Sequence, residues 1–278
     1  MSCQYEITQQ TALPVNQEMP ESLTWLQEEL STVISDNLFR PVRIRSGRQL
    51  STVTLNGLPL VNFGANDYLG YAGDSRLVRA SAKGACAEGA GAGASPLVSG
   101  HSNLHDTLGK SLSSLLGTDD SLIFPSGYAA NTATIACLAG PGDLIVSDAH
   151  NHASIIDGCR LSQADVRIYP HRNVAAAAEI LQTIPARRRL IVTDSLFSMD
   201  GTIAPLADLA QLAHETQSML LVDEAHATGL FGGHGSGLIE AADIASSVAV
   251  RIGTLSKALG SAGGFVSGHH TLCLLYTS

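Results

Sequence analysis

Hydrophobic positions along this chain follow one rhythm after about residue 103 and another before it. Downstream, stretches with helical spacing at 103–116, 127–138, 152–162, 174–183 and 205–217 alternate with short β-branched runs. Those runs are LIVSDA, VRIYP, RLIVTDS, MLLVDEA, VAVRIGTL and GGFVSG. Several are apolar at nearly every residue, the pattern of strands covered by helices on both faces, so they predict an α/β fold with a mostly parallel sheet. Upstream, PESLTWLQEELSTVISDNL has the apolar spacing of a helix starting at Ser22, and 75–88 reads as another. Between them, Asn56-Gly57 in STVTLNGLPLVNF is a two-residue hairpin turn signal. Residues 1–20 read as a loose leader. The expected division is therefore 1–60, a leader, helix and hairpin segment, and 61–278, one large domain.

Composition narrows the classes of function. The chain has 278 residues, 45% of them hydrophobic, and a formal charge of −9, enough for a sizeable core and wrong for nucleic acid. The five cysteines are scattered and odd in number, with no C-x-x-C pair. This predicts reduced thiols and a cytoplasmic protein. No basic start with an apolar run opens the sequence, and no window approaches the roughly 18 apolar residues of a membrane span, so no membrane association is expected.

Ligands of open α/β sheets bind beyond the carboxyl ends of the strands, and here those ends are polar. LIVSDA runs into His150, Asn151 and His152; RLIVTDS into Asp194 and Ser198; MLLVDEA into Asp223 and His226; VAVRIGTL into Thr254, Ser256 and Lys257. Three other motifs lack their context. GAGAGA at 89–94 follows a helix rather than a strand, so it does not read as a dinucleotide site. DEAH at Asp223–His226 and GKS at Gly109–Ser111 suggest a nucleotide triphosphatase, but the phosphate loop needs glycine where Leu104 stands. The paired histidines (His150 with His152, His269 with His270) match no structural zinc spacing, so no metal is expected.

Lys257 is one of only three lysines, set among small uncharged residues. An amine there, a carboxylate at Asp223 and imidazoles at His152 and His226 suit pyridoxal 5′-phosphate (PLP). Its aldehyde needs a partly desolvated lysine, and its ring nitrogen needs an acid to stay protonated. Asp223 would hold that proton and His226 would donate to the phenolic oxygen, with Asp194 bracing His226. His152 would lie on the ring face. FPSGYAAN, where Ser126, Gly127 and Tyr128 open a helix, offers free N–H groups to a phosphate.

Seven ordered blocks then carry a resemblance: NFGANDYLG, LVSGHSNLH, FPSGYAAN, NHASIIDGCRLS, TDSLFSMDGTIAPL, VDEAHATGLFG and TLSKALGSAGG. Together they resemble the α-oxoamine synthases, fold-type I PLP-dependent transferases with the aminotransferase class I/II fold, which condense an amino acid with an acyl thioester and release carbon dioxide. The resemblance implies that Lys257 bonds to the cofactor and acts as base, with Asp223, His226 and His152 in the roles above. It further implies Gly127, Tyr128 and Thr254 at the phosphate, Ser198 near the cofactor, Asn66 on the substrate side, and a homodimer. Two blocks look most like the biotin-pathway member, which joins alanine to a pimeloyl thioester of CoA or acyl carrier protein. A sibling using glycine, such as 2-amino-3-ketobutyrate CoA ligase, and a catalytically incompetent PLP-binding fragment stay open. Pro96 stands where many relatives have arginine, so acyl contacts there are expected to differ. The sequence stops at HHTLCLLYTS, and a C-terminal small domain is expected to be missing.

Overall fold

A computed structural model describes residues 19–277. The leader expected over 1–20 falls, apart from its last two positions, outside the described residues. The first helix is shorter than the spacing suggested. Glu21–Leu23 form a 3-10 turn and α1 spans Trp25–Ser35, so Ser22 lies inside the turn and caps nothing. No residue of α1 is buried, and Trp25, Leu30 and Ile34 of its apolar face are exposed.

Strands β1 (Arg45–Ser46), β2 (Thr52–Leu55) and β3 (Leu58–Val61) form a small antiparallel sheet. The β2–β3 turn is the expected one, with Asn56 and Gly57 both at positive φ (49° and 82°), as a two-residue hairpin turn requires. The division expected after residue 60 falls inside β3. Helices α2 (Ser75–Glu88) and α3 (Asn103–Leu116) follow. Asp74 caps the first, and Ser102 with His105 forms a reciprocal capping box on the second, satisfying N–H groups that a helix start leaves open.

The main sheet takes its strands from β4 (Asp120–Phe124), β5 (Leu144–Asp148), β6 (Asp165–Tyr169), β7 (Arg189–Asp194), β8 (Met219–Asp223), β9 (Val250–Thr254) and β10 (Gly264–Gly268). Their order is β4-β10-β9-β8-β7-β5-β6. Pairings from β6 through β9 are parallel, and β10 is antiparallel to both neighbours. Helices α4 (Gly127–Leu138), α5 (Ala153–Ser162), α6 (Val174–Thr183), α7 (Leu206–Glu215), the short α8 (Leu238–Ala241) and α9 (His270–Thr277) complete the chain.

Period-two alternation explains why the central strands are apolar on both parities. On β5, Leu144 and Val146 pack with Leu181 of α6 and Leu209 of α7, while Ile145 turns to the opposite face with Ile135 of α4 and Ile155 of α5. Both faces are covered, so a polar residue inside these strands needs a partner, as buried Arg251 of β9 has in the Leu116 carbonyl at 2.8 Å. Edge strand β6 departs from this rule, with Asp165, Arg167 and Ile168 exposed, charges that discourage further strand pairing. Gly158 lets α5 close on α4, since a Cβ there would lie 3.1 Å from the Ile135 side chain.

Ile191, at the centre of β7, is fully buried. Ile191→Ala is expected to cost about 2–5 kcal/mol through lost burial and a residual cavity, measured as a lower urea midpoint.

Candidate active site

Five parallel strands end along one edge, and their register fixes what meets there. Asp194 at the end of β7 is directly opposite Asp223 at the end of β8, and Asp223 is opposite Ile252, two residues before Thr254. A cavity of about 160 Å³ opens over these ends. It is lined by eight of the ten expected residues: Gly127, Tyr128, His152, Ser198, Asp223, His226, Thr254 and Lys257. Ser126 and Asn66 stand outside its lining. A larger hollow of about 290 Å³ near Pro205 and Leu238 has one carboxylate, Asp208, and no amine, imidazole or thiol.

The Asp223 carboxylate is buried and held at both oxygens. Oδ1 accepts from the Ala225 N–H at 2.7 Å, and Oδ2 from Asn131 Nδ2 at 2.6 Å. Asn131, on the inner face of α4, also donates to Ser154 Oγ at 2.9 Å, and its own Oδ1 is buried without a partner. Asp194 does not brace His226 as expected. Its Oδ2 accepts the backbone N–H of His152 at 2.8 Å, because the end of β7 lies beside the start of α5. Burial first, then the neighbouring Asp223 charge, raises the Asp194 pKa well above the carboxylate range.

His152 begins α5 as its N-cap, Nδ1 accepting from the Ser154 N–H at 3.2 Å. That bond fixes the imidazole's place at the cavity, and the Tyr128 ring stands edge-on to it with centroids 6.3 Å apart. Ser126 caps α4 through Oγ, which accepts from the Ala129 N–H at 3.0 Å. The first-turn N–H groups at Gly127 and Tyr128, which have no intrahelical partner, border the cavity. Space is tight here: a Cβ on Gly127 would come 3.3 Å from Thr254 Cβ. Thr254 spends its hydroxyl proton on the Gly263 carbonyl at 2.9 Å. Tyr128 is turned outward, its hydroxyl bonded to Asp157.

Lys257 lies in the loop between β9 and β10, its Nζ 2.6 Å from His226 Nε2. Burial lowers its pKa, opposed by the Asp223 and Asp194 charges. Burial, then the neighbouring Lys257 charge, pushes His226 down to about 4. The other nitrogen of His226, Nδ1, meets the Tyr68 hydroxyl at 2.8 Å, and that hydroxyl lies 3.3 Å from Asn66 Oδ1. Asn66 thus reaches the site through Tyr68. Ser198 is exposed in the loop after β7. Asn131, Ser154 and Tyr68 were missed, although Asn131 and Tyr68 sit inside FPSGYAAN and NFGANDYLG. The only signal for Asn131 was a polar residue one helical turn beyond Gly127.

Beside the cavity, ligand atoms of His150, His171 and Asp200 lie within 4.8 Å of one another. Both His171 nitrogens are already bonded, to Asp148 and Thr202. The two rings also stack 4.1 Å apart with planes 10° from parallel, so their in-plane lone pairs do not converge on one ion.

The residues present fit PLP. A half-buried amine faces two buried carboxylates, and open helix N–H groups border a cradle that a Cβ would narrow.

Comparison with known proteins agrees with this chemistry. The sequence profile of the aminotransferase class I and II family matches residues 59–277. An 8-amino-7-oxononanoate synthase of Anaeromyxobacter sp. is 46% identical over 256 residues, 92% of this chain and 64% of that protein. A serine palmitoyltransferase of Sphingomonas wittichii superposes with a TM-score of 0.85 at 30% identity, over 94% of this chain and 66% of the other. Another serine palmitoyltransferase, solved with PLP, gives 0.85 at 29% identity, over 92% and 65%. This chain therefore spans less than two thirds of the length of that synthase. Among the described residues no helix is long and apolar enough to cross a membrane.

Two outcomes follow from the geometry. A Cβ at Gly264 would lie 2.5 Å from the Gly127 nitrogen, backbone that has nowhere to move. Gly264→Ala is expected to cost about 1–3 kcal/mol and to weaken binding of PLP in a fluorescence titration. His226 should remain neutral until the pH falls to about 4, against an ordinary value of 6.5. Between those values the unfolded chain binds the proton and the folded chain does not, so stability is lost as pH falls through that window. His226→Gln should flatten the fall in urea midpoint across it, and NMR titration of the ring should give a midpoint near 4.

Proposed function

Because this chain belongs to the aminotransferase class I and II family, with α-oxoamine synthases as its relatives, we propose that it is the PLP-binding portion of an 8-amino-7-oxononanoate synthase. The reaction is decarboxylative condensation of L-alanine with a pimeloyl thioester, in biotin biosynthesis, by a cytoplasmic homodimer. Residues 61–278 make up the cofactor-binding domain. The observation that carries the reading is the Lys257 amine, half-buried over Asp223 and Asp194 at the carboxyl edge of a parallel sheet.

PLP, when bound, supplies an aldehyde and a ring that draws electrons from a carbanion. The chain's own groups divide the remaining work. Asp223, fixed by Asn131 and the Ala225 N–H, would accept a hydrogen bond from a protonated ring nitrogen. His152 closes one face of the cavity. The N–H groups of Gly127 and Tyr128 at the start of α4 would hold the phosphate. Lys257 Nζ is the base for a proton on the amino acid's α-carbon, and burial favours the neutral amine that this task needs. Ser198 and Thr254 border the same space, and Asn66, linked to the site through the Tyr68 hydroxyl, would act on the substrate side.

A second reading, PLP binding without turnover, is favoured by one observation: the chain spans 64% of the length of the synthase it matches. Purified chain loaded with PLP, reduced with borohydride and mapped by mass spectrometry should carry the label on Lys257, and Lys257→Ala should lose it. Thiol release with alanine and pimeloyl-CoA, absent with glycine and acetyl-CoA, supports the synthase. Release with glycine and acetyl-CoA alone overturns it, and label without any release identifies the binding-only protein.

A further inference from the structure

Tyr68 was not among the expected site residues, yet its hydroxyl lies 2.8 Å from His226 Nδ1, and His226 Nε2 lies 2.6 Å from Lys257 Nζ. The far end of this chain of contacts is Asn66 Oδ1, 3.3 Å from the same hydroxyl. Hydrogen-bond accounting along the four groups turns on where the Tyr68 proton goes, and the contact geometry has that hydroxyl donating to Asn66 Oδ1. A phenol has a single proton, and an amide oxygen only accepts. If the Tyr68 proton goes to Asn66 Oδ1, the contact with His226 is a hydrogen bond only when Nδ1 carries the imidazole proton and donates to the Tyr68 oxygen. A neutral imidazole has one N–H, and His226 is neutral over most of the pH range. Nε2 is then a bare acceptor facing Lys257.

The consequence falls on the lysine. A neutral amine has two N–H bonds and one lone pair, and it attacks a carbonyl with the lone pair. Donating an N–H to Nε2 leaves that lone pair free toward the cavity. In the opposite tautomer, Nε2–H would donate to Lys257 and occupy the lone pair. We propose that Tyr68 is a positioning residue, which together with Asn66 fixes His226 as the Nδ1–H tautomer and so keeps the Lys257 lone pair available to an aldehyde. The benefit to the enzyme rests on the PLP reading above, whereas the wiring is a property of the unliganded chain and is measured without cofactor.

The test uses the 278-residue chain with 15N-labelled histidine, unliganded and near pH 7.5, where long-range 1H–15N correlation tells which ring nitrogen bears the proton. His226→Gln assigns the signal. In the wild type the protonated nitrogen should be Nδ1. Tyr68→Phe removes the acceptor and should move the proton wholly or partly to Nε2. Asn66→Ala, which leaves the tyrosine in place, frees the phenol proton to point at Nδ1 and should do the same. Asn66→Asp keeps an acceptor-only oxygen and should restore the Nδ1–H form. In parallel, the rate at which added PLP becomes trapped on Lys257 by borohydride should fall severalfold in Tyr68→Phe and Asn66→Ala, but not in Asn66→Asp. An Nε2–H wild type, or a tautomer that neither Tyr68→Phe nor Asn66→Ala moves, overturns the proposal. Wild-type protein that never traps PLP on Lys257 sinks the cofactor reading instead, and the unliganded NMR result still decides the wiring.

Discussion

Two carboxylates held side by side on neighbouring parallel strands set the terms for everything around them. Register places Asp194 directly opposite Asp223, and both are buried. Like charges at that spacing in a low-dielectric site repel unless something donates to them or balances them. The chain supplies donors one at a time: the Ala225 N–H and the Asn131 amide to Asp223, and the His152 N–H to Asp194. Each donor belongs to a different segment, so α4, α5 and the loop after β8 are all drawn to the same edge. The crevice exists because these segments converge on the acids without covering them.

That convergence explains the close approaches nearby. Asn131 reaches Asp223 only if α4 lies hard against the sheet, and Gly127 and Gly264 remove the side chains that would hold it off. The same approach brings the start of α4, with its open N–H groups, to the cavity mouth. Lys257 arrives from the other direction, on the hairpin between β9 and β10. The antiparallel β10 therefore has a purpose in this sheet: it returns the chain immediately after the lysine and keeps the loop short.

Much of this was legible in the sequence, for identifiable reasons. Strands covered on both faces are apolar at most positions, and MLLVDEA and RLIVTDS show both the strands and the polar residues that end them. Helices α3, α4 and α6 span the ranges expected from the sequence, each started by a side-chain cap at Ser102, Ser126 or Asn173. The start of α1 was misread because a serine can sit in a 3-10 turn as readily as at a cap, and no burial on that helix breaks the tie. Asp194 was located correctly and given the wrong partner, since the sequence places a residue at a strand end but does not say which neighbour lies beside it. Tyr68 and Asn131 were invisible as site residues for the same reason. Each acts through a contact with a residue 158 or 92 positions away, and no local pattern encodes such a distance.

Charge balance ties the site to the kind of ligand it suits. With both acids ionised and Lys257 protonated, the cluster carries a net charge of −1, one positive unit short of neutral, and His226, pushed down to about 4, adds nothing near neutral pH. Asp194 responds by favouring its protonated form. A ligand with a cationic N–H placed against Asp223 would supply the missing charge, relieve Asp194 of that pressure, and remove much of the reason for Lys257 to keep its own proton. Burial already acts on the lysine in the same direction. Occupation of Asp223 by a cation would therefore favour release of a proton from the Lys257 amine.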